Sequence, residues 1–209
     1  MRTRTFAFLF ATLLPSAASA EAPSYSYFDV NYQANAEMDV CALFAPPCTI
    51  DMDGFGIKAS FAINDSWYIA FDYITLGSDP SAFDVNDWAL TAGWHDGMLY
   101  AEFGMENSEF DACAALLPPC AFDDSGYVVE LGLRTMATER LELSAHVGRS
   151  DTGDFGTSTN LGFGAVWMFS EGIGVSFNYD MRKVADFATA TGFDIDIDTM
   201  GVGLRLDFD

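Results

Sequence analysis

Two matched segments hold all four cysteines of the chain: CALFAPPC from Cys41 to Cys48 and CAALLPPC from Cys113 to Cys120. Acidic residues flank both, with Glu37, Asp39, Asp51 and Asp53 around the first and Glu109, Asp111, Asp123 and Asp124 around the second. In an exported chain, two such pairs read as two local disulfides. Four cysteines allow three connectivities, so pairing between the segments stays open. The spacing is not a zinc pattern and no His is close, so these thiols are not read as metal ligands. The Pro-Pro before each second Cys stiffens the loop tip. A closed loop presenting Leu43 and Phe44, or Leu116 and Leu117, could act as a binding knob. A protease-resistant loop is the plainer reading.

A second group is carboxylate. Asp194, Asp196 and Asp198 alternate on one face of the last segment. Three carboxylates in a row could hold Ca²⁺ through oxygen ligands, or could form a solvated rim. The EF-hand glycine and distal Glu are missing, so no metal site is assigned. Ser144 and His146 stand two apart behind Glu142. On one strand face their Cα atoms are ~6–7 Å apart, and nothing activates the Ser as a nucleophile. No catalytic residue and no cofactor is assigned, and a lipid-modifying enzyme is the least favoured reading.

The remaining chemistry is a set of charges in phase with glycines on the polar side of apolar alternation. Lys58, Asp72, Glu102, Glu130, Arg134, Glu142, His146 and Arg205 form it, with Asp180, Arg182 and Asp207 beside them. Period-two alternation marks strands with one apolar and one polar face. It recurs over residues 25–33, 54–63, 67–76, 86–95, 98–106, 126–135, 140–149, 158–169, 173–182 and 194–209. Asp96-Gly97 is a strong hairpin signal. Connections alternate short and long, four short and five longer. Ten strands are predicted, eight if a segment is misassigned.

Composition narrows the setting. Arg2 and Arg4, the apolar run from Phe6 to Leu14 and the Ala18-Ser19-Ala20 end make residues 1–20 a secretory signal. The domain would then span residues 21–209. Removal of Arg2 and Arg4 leaves 7 of the 9 basic residues against all 31 acidic ones, a formal −24 in place of −22. Such a chain is a poor partner for nucleic acid, whose phosphates need Lys and Arg. No segment offers ~18 continuous apolar residues for a spanning helix. Yet 50% of the residues are hydrophobic and 15% aromatic. A transmembrane β-barrel disperses that content over alternating strands. Aromatic residues recur near strand ends, at Tyr25, Trp67, Tyr73, Trp88, Trp94, Tyr127, Trp167, Phe169, Tyr179 and Phe208, where interfacial girdles belong. A soluble sandwich would also alternate.

The last strand carries the most specific motif. Met200, Val202, Leu204, Leu206 and Phe208 alternate with Gly201, Gly203, Arg205 and Asp207. This stretch resembles the closing strand of bacterial outer-membrane β-barrels, with Leu204, Leu206 and Phe208 as the insertion signal. Asp209 departs from the family, which usually stops on the aromatic residue. The whole chain resembles, as pattern, the small barrels typified by the OmpA transmembrane domain and OmpX. That resemblance implies an all-β, closed antiparallel transmembrane barrel with short periplasmic turns and longer extracellular loops. It also implies an outer-membrane location, with membrane lipid, lipopolysaccharide and the barrel-assembly machinery as partners. A monomer is expected, with a charge-paired lumen and acidic, disulfide-clipped loops in a structural or surface-interaction role. A narrow cation-preferring porin is the alternative.

Overall fold

The alternating segments become ten strands in a computed structural model that describes residues 23–39, 49–78, 83–111, 121–187 and 193–208. In order they are β1 (Tyr27–Asp39), β2 (Thr49–Ala62), β3 (Trp67–Ser78), β4 (Asp84–Asp96), β5 (Leu99–Asp111), β6 (Ala121–Thr138), β7 (Leu141–Asp151), β8 (Thr157–Ser170), β9 (Ile173–Phe187) and β10 (Phe193–Asp207). Every strand pairs antiparallel with its sequence neighbour, and β10 pairs with β1 to close the barrel. The closing register sets Tyr27 opposite Asp207 and Asn31 opposite Gly203, where the alternation places it. Ten strands are present, not eight. A closed ring leaves no unpaired edge for another chain to extend.

Four short connections, 63–66, 97–98, 139–140 and 171–172, lie at one end with both described termini. Local chemistry explains their tightness. Gly97 and Gly172 take φ values of 60° and 75°, which L side chains rarely adopt. Asn64 Oδ1 accepts the backbone N–H groups of Ser66 and Trp67, each at 3.0 Å. Thr138 Oγ1 does the same for Arg140 and Leu141. Met98 and Arg140, predicted to open strands, sit in these turns because two-residue connections need them.

At the other end the strands run further than predicted. Glu37 and Asp39 lie in β1, Asp51 and Asp53 in β2, Glu109 and Asp111 in β5, and Asp123 and Asp124 in β6. They were expected in loops. They are strand residues because backbone pairing continues past the apolar belt, as in the Asp53↔Gly77 and Glu109↔Asp123 pairs.

The barrel's polarity inverts along its axis. Over the middle, apolar side chains face out, as with Phe55, Phe61, Leu90, Phe103, Leu131, Phe177, Val202 and Leu204. This face extends over nine-residue spans, from Phe55 to Ile63, one residue past β2, and from Met200 to Phe208, one residue past β10. That matches the ~9–11 residues a tilted strand needs to cross a bilayer. Trp67, Trp94, Trp167, Phe169 and Phe208 edge the belt near the turns, and Tyr32, Trp88 and Tyr127 edge it towards the longer loops. Beyond that second row the outward positions turn acidic and the inward ones apolar. In β10, Asp194 and Asp196 are exposed while Ile195 and Ile197 are buried.

In β1 the inversion needs a bulge. Asp29, Asn31 and Gln33 face inward, and then the register shifts between Gln33 and Glu37 against both neighbours. A one-residue shift exchanges the faces of a strand. Ala36 and Met38 therefore turn inward, leaving Glu37 and Asp39 outside.

Near the turn end, inward tyrosines lie over glycines of the next strand. Tyr68 faces Gly93 and Tyr100 faces Gly132 in register. A Cβ on either glycine would fall inside the facing ring. Loss of that Cβ is what lets both rings lie flat against the wall and fill the lumen.

Candidate functional site

The lumen collects nearly all the buried charge, and its side chains form three layers. At the turn end, Glu142 accepts two hydrogen bonds from Arg134, at 2.6 and 3.0 Å, and one from Arg205 at 3.0 Å. Arg205 also reaches Asp207 at 2.6 Å and the Ser24 carbonyl at 3.2 Å. Its guanidinium stacks 3.8 Å above the Tyr27 ring, and Arg134 lies 4.8 Å from both Tyr25 and Tyr27. Arg134 stands on β6, opposite β1 in the ring, so this contact spans the lumen. Buried carboxylates are tolerated where paired and hydrogen-bonded in this way.

In the middle layer, Lys58 Nζ lies 2.9 Å from Asp72. Glu102 accepts from the Tyr68 and Thr91 hydroxyls, each at 2.8 Å, and Glu130 accepts from Tyr100 at 2.7 Å. The two glutamates are directly opposed across β5 and β6. His146 Nε2 sits 3.2 Å from Asp180 and 3.8 Å from Glu130. A cavity of about 320 Å³ runs through this layer, lined from Tyr25 and Arg134 at the turn end to Arg182 and Val85 towards the loops.

Above it, Arg182 bolts the barrel across its diameter. From β9 it donates to Asp87 on β4 and Glu106 on β5, both at 2.6 Å, and to Ser158 on β8 at 3.0 Å. In the ring order β9 and β4 stand opposite each other. The third layer then closes the loop end with apolar side chains, among them Met38, Met52, Leu76, Val85, Phe110, Phe155, Val184 and Ile195. Phe155 enters from the connection between β7 and β8, whose 3₁₀ turn spans Gly153–Phe155. Asp124 anchors that turn by accepting the Asp154 backbone N–H at 2.8 Å.

All eight predicted lumen residues, Lys58, Asp72, Glu102, Glu130, Arg134, Glu142, His146 and Arg205, point inside, and each meets the partners given above. Leu204, Leu206 and Phe208 lie on the outer face, where Phe208 packs on Phe61 at 5.6 Å. Other expectations need correction. Tyr25, predicted in the outer girdle, is 6% exposed and stacks 3.8 Å from His95 inside the turn end. It lies before β1, where the chain tucks beneath the lumen. Asp180, which the alternation places beside the lumen charges, faces the lumen against His146. Along that row, Asp194 is paired with Lys183 at 3.1 Å and holds its ammonium above the ordinary lysine range. Asp198 receives the Tyr179 hydroxyl at 3.4 Å. Among the described residues, no group of three or more His, Cys, Asp or Glu side chains is set to hold a metal.

His146 does not activate Ser144: its Nε2 is engaged by Asp180. Cys41, Cys48, Cys113 and Cys120, the Leu43, Phe44, Leu116 and Leu117 tips, residues 1–20 and Asp209 lie outside the described residues. Sequence reasoning missed the bolt of Arg182, Asp87 and Glu106, and it missed the apolar closure. A signal was available in DIDIDTMGVG, where the face that carries Gly201 and Thr199 continues as Ile197 and Ile195.

No protein-family model matches this chain, and no curated protein is similar to it. Solved structures with a similar fold include the CymD monoaromatic hydrocarbon channel, at 10% identity over 77% of this chain and TM-score 0.42. The chain spans about half of that channel's length, 52%. Neisserial surface protein A is similar at 15% identity, covering 90% of this chain and 100% of that one, with TM-score 0.43. The outer membrane protein OprG from Pseudomonas aeruginosa is similar at 10% identity, covering 91% and 99%, with TM-score 0.41. None of these three is OmpA or OmpX.

Proposed function

We propose that this protein is a monomeric outer-membrane β-barrel whose lumen is closed, with a structural or surface-interaction role. The observation that carries the reading is the inversion of polarity. An apolar belt girds the outside of a charge-paired lumen, and at the loop end apolar side chains close the inside while carboxylates cover the outside. A belt about nine residues tall fits a bilayer. A polar, paired interior stabilises the barrel without an open water path. The ring has no free edge, which suits a monomer. Lipid would contact the belt, lipopolysaccharide would lie nearest the acidic band, and Leu204, Leu206 and Phe208 would engage the assembly machinery. The export signal and the loop disulfides belong to this reading.

The cavity between the two closures favours one alternative, a narrow cation-preferring channel, because Glu102, Glu130 and Asp180 outnumber the cations beside them. Single-channel recording in planar bilayers separates the two. The closed barrel predicts no steady unitary current at 1 M KCl. Reproducible cation-selective openings would overturn it and establish the channel.

A further inference from the structure

Gln33, Asn178 and Ser176 line the lumen cavity and cover a glycine strip on β10. Gln33, Gly201 and Asn178 stand side by side in register on β1, β10 and β9. A Cβ on Gly201 would collide with both Gln33 Oε1 and Asn178 Oδ1, so these two oxygens flank one point above the strand. One step along, Ser176 Oγ lies over Gly203 in the same way. Gln33 is 2% exposed and Ser176 7%, and neither Gln33 Oε1 nor Ser176 Oγ has a hydrogen-bond partner. Buried polar atoms of this kind normally have one, and leaving one unmet is destabilising.

The amide orientations follow from carboxylates. Asn31 Nδ2 donates to Asp29 at 3.3 Å, which turns Asn31 Oδ1 towards Gln33 Nε2, its donor at 2.5 Å. Asn178 Nδ2 donates to Asp180 at 3.1 Å. An ionised carboxylate only accepts, so both chains run one way and bring Gln33 Oε1 and Asn178 Oδ1 over Gly201, with Gln33 Nε2 beside them and bonded to Asn31 Oδ1. The nearby cationic side chains are already engaged, Lys58 with Asp72, Arg182 with Asp87 and Glu106, and His146 with Asp180 itself. What Gln33 Oε1 and Ser176 Oγ lack, among the described residues, is a positive charge or a donor.

We propose that the Gly201–Gly203 cradle binds one small monovalent cation through Gln33 Oε1, Asn178 Oδ1 and Ser176 Oγ, with Asp180 supplying the adjacent negative charge. Neutral carbonyl and hydroxyl oxygens replace the hydration shell of such an ion. One carboxylate balances a single charge, whereas Ca²⁺ or Mg²⁺ sites draw on more. Sodium, potassium and ammonium share the required chemistry. The proposal rests on the closed barrel only in placing the ion inside the ring.

The test is the heating temperature at which refolded barrel in detergent loses its compact form on gels. Samples are heated in sodium, potassium or ammonium chloride, with tetramethylammonium chloride holding ionic strength constant. A saturating ion should raise the midpoint by about 5–10 °C, and the rise should be lost in Asp180→Asn and in Gly201→Ala, whose methyl fills the cradle. Where Gly201→Ala does not fold, Ser176→Ala serves. Crystals soaked in rubidium chloride should show an anomalous peak between Gln33 and Asn178. Equal midpoints in all four salts, or a rise kept in the variants, would overturn the site and leave ordered water as the occupant. Melting reads occupancy and current reads passage, so a conducting barrel leaves this result interpretable.

Discussion

Arg182 shows how a single side chain can tie opposite walls of a barrel. Its guanidinium pairs with Asp87 Oδ2 and Glu106 Oε1 at once, and all three side chains are largely buried. Replacing it with Met leaves two carboxylates without their counter-charge inside the lumen. We expect Arg182→Met to cost about 3–5 kcal/mol, read as a lower urea midpoint for unfolding in micelles. Adding Asp87→Asn and Glu106→Gln should recover most of that loss, because the penalty lies in uncompensated charge and not in lost packing. Asp124 makes a different prediction at the loop end. Backbone N–H groups of Asp154 and Ser125 hold its carboxyl below the ordinary aspartate value of 3.8. A depressed folded value stabilises above the unfolded one, and that stabilisation fades as pH falls through the folded value. Thermal scans from pH 5 to pH 2 should therefore show an acid loss that is shallower in Asp124→Asn, whose turn at Phe155 no longer depends on protonation.

Strands extended past the belt set like charges against each other. Glu37 faces Asp51 on β2 and Asp198 on β10, Asp39 faces Asp196, and Asp84 faces Asp111. Directly opposed like charges destabilise a sheet, and here the chain tolerates them because the apolar layer on the inner side holds the same strands together. Glu37→Gln should raise stability by about 0.2–1 kcal/mol, and the gain should shrink as salt screens the pair. Urea midpoints at low and high NaCl check both parts. Strand existence was legible from alternation, and all ten predicted segments overlap the observed strands and differ from them only at their ends. The ends were missed because turn-like acidic composition was read as loop, whereas a closed sheet keeps pairing wherever its neighbours supply partners. The bulge after Gln33 was not legible at all: it is required by two registers that only the assembled ring brings together.

For the molecule as a whole, the belt and the closed ring predict heat-modifiable migration. Unboiled protein in detergent should run faster on gels than boiled protein, and fractionation should place it with membranes. A single mobility, with the protein in the soluble periplasmic fraction, would remove the membrane reading.

The amino-acid order alone determined the ten strands, the face each turns outward over the belt and the inward direction of the eight charges first assigned to the lumen. Period-two alternation is a local property, and any closed antiparallel sheet must honour it. Its last strand was read from Asp194 to the end of the chain and ends at Asp207, and its closing register with β1 followed. Only the tertiary structure decided which charges meet. Arg182 and Asp87 are far apart in sequence, and their pairing depends on which strands stand opposite in a ring of ten. Closure likewise places Gln33 and Asn178 on either side of Gly201, where two unremarkable amides become an oxygen cradle. The loop-end inversion belongs to both: its pattern is written in Asp194 to Asp198, but Ile195 and Ile197 become a plug only when other strands supply the rest of the layer.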